Sequence, residues 1–386
     1  MAGALAVFGL FNLLQRFPAV TELVYGSTLG PVIGWALSRV TATVPFSLVE
    51  LVVLVFVLRH MVSLARDALT AVRGRATVRR VLAAGGLRFG ADVAVAVMAF
   101  YFLWGFHYAR PPLDDRLDFP GAGDGRTEEV THLAREMVAA TNRTYYELHG
   151  TNDLGRPTAP PRSPSEFQGA LNEGWAEITR ELDLPAHYGW RHGELKPFLL
   201  SPRVKGLGIS GIYFPLTGEA LILEDLPAVT YGKVMAHETA HQRGVAGESE
   251  ANFMGFLAAS RSPDPALRYS AYAFAQRQLM SVLALSDPGT WRQLRAQRLP
   301  GVERDLEELR AYWNPSTGVL AELGTRVNHV MLRSHGVEAG VFSYSESMEL
   351  LVAYARHSGW SLVGPTFRAD LAPVSSGRHL EGGATD

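Results

Sequence analysis

What most limits the fold of this 386-residue chain is where its apolar residues lie. Ala2–Leu14, Phe46–Leu58 and Val93–Phe106 are almost free of charge and all precede residue 110, while the rest has the composition of an ordinary globular domain. With 47% hydrophobic and 19% charged residues, the chain leans toward a membrane. Each run is shorter than the roughly 20 residues that cross a bilayer, but flanking residues extend the second to about Ala65 and the third to about Tyr108. Tyr101, Trp104 and Tyr108 cluster at the end of the third, where an interfacial aromatic belt is expected. The expectation is a membrane anchor over 1–109 with about three transmembrane helices. Leu29–Val40, interrupted by Arg39, is expected as an interfacial or partly inserted helix.

Charge gives the orientation. Between the second and third runs, Arg59, Arg66, Arg73, Arg75, Arg79, Arg80 and Arg88 face only Asp67 and Asp92, so the positive-inside rule makes the loop over 59–88 cytoplasmic. Everything from about Ala109 then lies outside the cytoplasm in a multi-pass protein of the cell membrane. The Arg-rich segment has no interleaved aromatics and the net charge is −2, so the expected partner is the lipid bilayer and not nucleic acid. No basic n-region or cleavage site precedes Gln15-Arg16, so a retained anchor is expected.

Arg110-Pro111-Pro112-Leu113 and the Gly/Asp-rich passage to Arg126 read as a linker over 110–126. A domain over 127–363 follows, with helices expected near Thr131–Leu148, Phe167–Leu184, Val229–Gln242, Glu248–Ala259, Ala266–Leu285, Val302–Trp313, Leu320–Arg333 and Ser343–Arg356. Gly206–Leu223, with its Pro215-Leu216-Thr217-Gly218 turn, reads as a β-hairpin. The polar tail over 364–386 is expected to be disordered. The fold class is therefore mainly α, with one small hairpin before the helix that carries the chemistry.

That chemistry lies in His237-Glu238-Thr239-Ala240-His241. Helical residues four apart share a face with β-carbons roughly 5–6 Å apart, so two imidazoles converge on one tetrahedral ion while Glu238 is left as a base for a metal-bound water. The chain has no Cys, so any zinc must be held by His and carboxylate, and a zincin needs a third ligand beyond the two histidines. Glu248 and Glu250 are the candidates. Gly244 ends the metal helix, and the face Glu248, Asn252, Gly255, Ala259 suits a close contact with it, whereas Glu250 points into an apolar sector; this favours Glu248. Asn252 reads either as a hydrogen-bond partner of a ligating imidazole or as a polar interface residue. Ile209–Phe214 is either a sheet edge that accepts a peptide as an added strand or a plain core hairpin. Tyr213, Tyr269 and Tyr272 are possible oxyanion donors. Glu50 reads as an intramembrane functional carboxylate or as a first-turn residue favoured by the helix dipole.

Pro45–Glu50, Arg110–Leu113, Ile209–Glu219, His237–Gly244, Glu248–Phe253 and Arg268-Tyr269-Ser270 together resemble a family of bacterial membrane proteins, the domain-of-unknown-function 3810 group. The resemblance implies N-terminal transmembrane helices and a zincin-like domain with zinc residues at His237, His241 and Glu248, but no substrate. Glu248-x-x-Ala251-Asn252 is also similar to the E-x-x-A-D segment of membrane gluzincins, with Asn252 in place of Asp. The expected function is zinc-dependent hydrolysis of a peptide or protein substrate outside the cytoplasm. The alternative is a non-catalytic membrane scaffold or peptide-binding protein with structural zinc.

Overall fold

The computed structural model describes residues 2–119, 126–150, 155–159, 163–313, 344–364 and 367, and of 202, 203 and 344–346 the backbone alone. The helix expected over Leu320–Arg333 and most of the tail expected to be disordered lie outside these residues.

Two helices dominate the N-terminal third. α4 (Leu48–Val72) and α5 (Val78–Leu103) are long and apolar enough to cross a membrane and bury almost nothing inside the molecule. The first apolar run, expected as a further span, is not a comparable helix. α1 (Ala2–Leu14) has 13 residues, and it meets Pro18–Thr41 at a bend of 112°. That second arm comprises α2 (Pro18–Thr21), a π-helical turn over Glu22–Leu29 and α3 (Gly30–Thr41). The Arg-rich segment, expected as a loop over 59–88, is helical except for residues 73–77, because its Arg, Ala and Leu are good helix formers. Cross-helix pairs reinforce it: Asp92 meets Arg59 and, at 3.0 Å, His60, while Asp67 meets Arg88.

The remaining helices pack around a small sheet. They are α6 (Leu113–Arg116), α7 (Thr127–His149), α8 (Ser165–Glu181), α9 (Ser201–Lys205), α10 (Ala228–Gln242), α11 (Glu248–Ser260), α12 (Pro265–Ser286), α13 (Pro288–Ala296), α14 (Pro300–Tyr312) and α15 (Tyr344–His357). β1 (Lys196–Pro197) runs parallel to β3 (Glu219–Ile222), and β2 (Gly211–Phe214) runs antiparallel to it, giving the order β1-β3-β2. β2 is thus a sheet edge. The hairpin turns at Gly218, whose φ of +67° suits glycine and whose missing side chain admits α3: a β-carbon there would lie 2.7 Å from the Ser38 amide. α12 is buried almost all round against α7, α10 and α11, and Leu267, Tyr272, Leu279 and Leu283 join one continuous core.

The segments expected as anchor, linker and domain are tied together by buried contacts. Arg110 is buried and donates to both oxygens of Glu22, at 2.6 and 3.0 Å, while its third nitrogen donates to the Gly244 carbonyl at 2.9 Å. A bidentate ion pair of this kind fixes geometry as well as charge. Leu113, at 2% exposure, is in the main core. The start of α4 is held by the sheet: Glu219 accepts from the Leu48 and Val49 amides at 3.1 and 2.9 Å, where a carboxylate meets the positive helix end, and pairs with buried Lys196 at 2.5 Å. Glu50 has a local task that neither expected reading included. Ser47 caps the helix through the Glu50 amide at 3.2 Å, and the Glu50 carboxylate takes the amides of Leu199 and Leu200 at 2.9 and 2.8 Å.

Candidate metal centre

α10 carries His237, Glu238 and His241, and its C-terminus sets the site up. The Val245 amide bonds back to the Ala240 carbonyl at 3.2 Å and the Gly244 amide to His241 at 2.9 Å, a Schellman turn that needs the φ of +80° at Gly244. The turn returns the Val245 carbonyl to His241 Nδ1 at 2.7 Å. Nδ1 of His241 is therefore the protonated nitrogen, and the lone pair is left on Nε2. The turn also starts α11, which lies so close to α10 that a β-carbon on Gly255 would meet the His237 amide nitrogen at 2.9 Å.

Three donor groups converge. His241 Nε2 is 3.1 Å from His237 Nε2, and Glu248 places its oxygens 3.2 Å from His237 Nε2 and 3.7 Å from His241 Nε2. Among the described residues these three form a group whose ligand atoms all lie within 4.8 Å of one another. Two nitrogens each about 2.05 Å from a tetrahedral zinc stand roughly 3.3 Å apart, so the donor set fits the ion. Glu250 faces elsewhere, accepting from the Leu113 amide at 2.9 Å and from Arg116 at 2.8 Å. The Glu248 side chain is 34% exposed against 12% for His237, so the group opens to solvent at Glu248.

Glu238 lies beside this group on the side of β2. A β-carbon on Gly211 would come within 2.7 Å of a Glu238 oxygen, and the Tyr213 amide donates to the same carboxylate. The amides of Gly211 and Tyr213 point away from β3 by the antiparallel alternation, so the edge of β2 that pairs with no strand among the described residues runs along Glu238. Burial and the nearby Glu248 hold the Glu238 carboxyl well above the usual carboxylate range. His237 is pushed down to about 4, first by burial and then by the charge of Lys233. For Glu248, burial raises the carboxyl, but the hydrogen bond from His237 and the fields of His241 and His237 outweigh it and lower the result.

The other sequence candidates fall out differently. Asn252 donates to Ser347 at 3.4 Å, an interface contact with α15. Yet among the described residues its Oδ1 and the Nδ1 of His237 are both buried without a partner, a matching acceptor and donor on two touching helices. Tyr269 donates to Asp305 at 2.7 Å and Tyr272 to the Ser260 carbonyl at 3.3 Å, while the Tyr213 ring is buried against Trp104. Three contributors went unassigned in the sequence. Trp104, one residue past α5, donates to the His241 carbonyl at 3.2 Å. Tyr108 stands edge-on to Trp104, and after burial the field of Glu248 is the next cause raising its hydroxyl. Lys233 lies one turn before His237, pushed down to about 8 by burial, with Glu238 and Glu248 opposing. The aromatic belt signalled the first two, though as membrane residues; Lys233 had only its i, i+4 spacing from His237.

Residues 25–352 match the family described as a protein of unknown function, DUF3810. The chain belongs to that family. The DUF3810 match begins within the π-helical turn and spans both long apolar helices, the sheet and the His237–Glu248 group. No curated protein and no solved structure matches the chain.

Proposed function

We propose that this DUF3810 protein is a membrane-anchored zinc metallopeptidase with a zincin-like domain, working outside the cytoplasm. The observation that carries the reading is the convergence of His237, His241 and Glu248 beside a Glu238 that belongs to no ion pair among the described residues and borders a free strand edge. His237, His241 and Glu248 would hold the ion, which supplies Lewis acidity and an acidified water. Glu238 takes a proton from the attacking water and returns it to the leaving amine. The outward amide of Gly211 offers the peptide backbone a partner along β2, in the manner of an added strand. Trp104 ties the His241 carbonyl to the end of α5, which keeps the site at the bilayer surface. Support for the orientation comes from the hairpin: the start of α4 and the end of α5 both contact the site-bearing body, and Arg73, Arg75, Arg79 and Arg80 sit at the far turn.

The test uses the full chain in detergent. Metal analysis should give one zinc per chain, lost in a His237→Ala/His241→Ala double mutant. Glu238→Gln should keep the zinc and lose at least 100-fold in peptide hydrolysis. Zinc content unaffected by the double mutation overturns the metal assignment. A wild-type chain that holds zinc and cleaves no peptide supports the non-catalytic scaffold instead.

A further inference from the structure

Lys233 sits four residues before His237 on α10 and shares its face. Its Nζ lies 4.9 Å from the centre of the Phe274 ring, and among the described residues it forms no ion pair. An ammonium held against a ring, with no carboxylate in ion-pair contact among the described residues, is costly to bury unless an anion arrives to pair with it. The position is not a remote one. His237, Glu238 and Glu248 all respond to the Lys233 charge, and the field of Arg277 adds to the positive side. Once a divalent ion is bound, its two positive charges are matched by Glu238 and Glu248, and the charge of Lys233 is left over for the substrate.

Distance selects which anion. Four residues of helix rise about 6 Å, so the backbone of Lys233 stands about that far along α10 from that of the metal ligand His237. One residue of extended chain spans about 3.3–3.6 Å. A charged N–H···O bond adds about 2.8 Å. A carboxylate one residue beyond the scissile bond, with its hydrogen bond, covers a comparable length from a scissile carbonyl at the metal.

We propose that Lys233 recognises the C-terminal carboxylate of the peptide, so that the site is that of a carboxypeptidase. Hydrolysis then adds one water across the last amide, with OH to the acyl carbon and H to the amine, and releases one free amino acid. The assignment rests on the peptidase reading and narrows it.

Binding, free of turnover, tests it. The probes are N-acetyl-Ala-Phe as the free acid and as its C-terminal amide, titrated calorimetrically into the zinc-loaded full chain carrying Glu238→Gln. The free acid should bind about tenfold or more tighter than the amide. Adding Lys233→Met should erase that difference, and Lys233→Arg should keep most of it, with zinc content unchanged in both. Equal affinity for acid and amide, no binding of either, or a preference that survives Lys233→Met overturns the proposal. If Lys233→Met does not fold, the acid-to-amide ratio of the Lys233 chain decides alone. Cleavage of N-acetylated, C-terminally amidated peptides at internal bonds by the chain that retains Glu238 would sink the carboxypeptidase assignment and leave the peptidase reading standing.

Discussion

At the scale of single residues, the site depends on atoms that do not themselves meet the metal. The buried, unpartnered Nδ1 of His237 and Oδ1 of Asn252 are complementary, and a bond between them would fix the imidazole with its Nε2 toward Glu248. Removing such a partner weakens metal binding by about 10- to 100-fold. Asn252→Leu should therefore raise the zinc dissociation constant by that factor in competition with a chelating dye, and Asn252→Asp should retain tight binding; an unchanged constant in the leucine variant assigns Asn252 to the Ser347 contact alone. Gly211 makes a different test, because its hydrogen leaves room for the Glu238 carboxylate. A β-carbon there would stand 2.7 Å from that carboxylate and 2.9 Å from the Leu221 carbonyl. Gly211→Ala should displace the base and cost about 1–3 kcal/mol of stability. Peptide turnover should fall by about tenfold or more with zinc retained, and wild-type turnover in this variant would show that Glu238 is not the base.

At the scale of elements, α7 shows how a helix end is joined to a distant segment. Glu129, at the third helical position, accepts from the Arg126 amide at 2.8 Å and from Arg356 on α15 at 2.8 Å. The hydrogen bond from Arg356 is the main cause holding its carboxyl below the usual range. A carboxyl depressed in the folded state stabilises the fold above its unfolded value, near 4.3, and that contribution is lost as pH falls through the lower folded value. Glu129→Gln should thus lower stability at pH 7 by about 1.5–3 kcal/mol. The difference in melting temperature from wild type should shrink as pH falls below about 4, and a difference independent of pH would place the effect in packing. Elements of this kind were legible in the sequence: α10, α11, α12 and the β2–β3 hairpin begin and end within a few residues of their expected limits, because apolar spacing and Gly, Pro and Asp punctuation are local signals. That the Arg-rich segment is helical up to residue 72 and from residue 78 was not legible, since charge marks a solvated surface and a helix equally well. The partnership of Arg110 with Glu22 and Gly244 was not legible. It joins residues 88 and 134 positions apart, and nothing in either neighbourhood encodes the other.

At the scale of the whole molecule, the N-terminal third is part of the body that holds the site. Trp104 bonds to the His241 carbonyl, Arg110 to the Gly244 carbonyl, and Ser38 accepts from the Gly193 amide at 3.2 Å. Gly218 and Gly244 have no room for a β-carbon because Ser38 and His107 fill the space. A chain beginning at residue 110 would lose Glu22, the sole carboxylate that Arg110 meets among the described residues, and would leave a buried guanidinium unpaired, a loss of about 3–5 kcal/mol. It would also expose the apolar surface of Tyr213 and Ala246 that Trp104 covers, a second loss of about 1.5–3 kcal/mol. Their sum is comparable to the 5–15 kcal/mol by which domains are stable at all. A 110–386 fragment should therefore aggregate or elute as a broad species in size-exclusion chromatography and bind zinc substoichiometrically. The full chain in detergent should remain monodisperse with one zinc. A monodisperse fragment that melts with the full chain and holds one zinc would show instead that the N-terminal contacts follow from membrane attachment and contribute nothing to the integrity of the site.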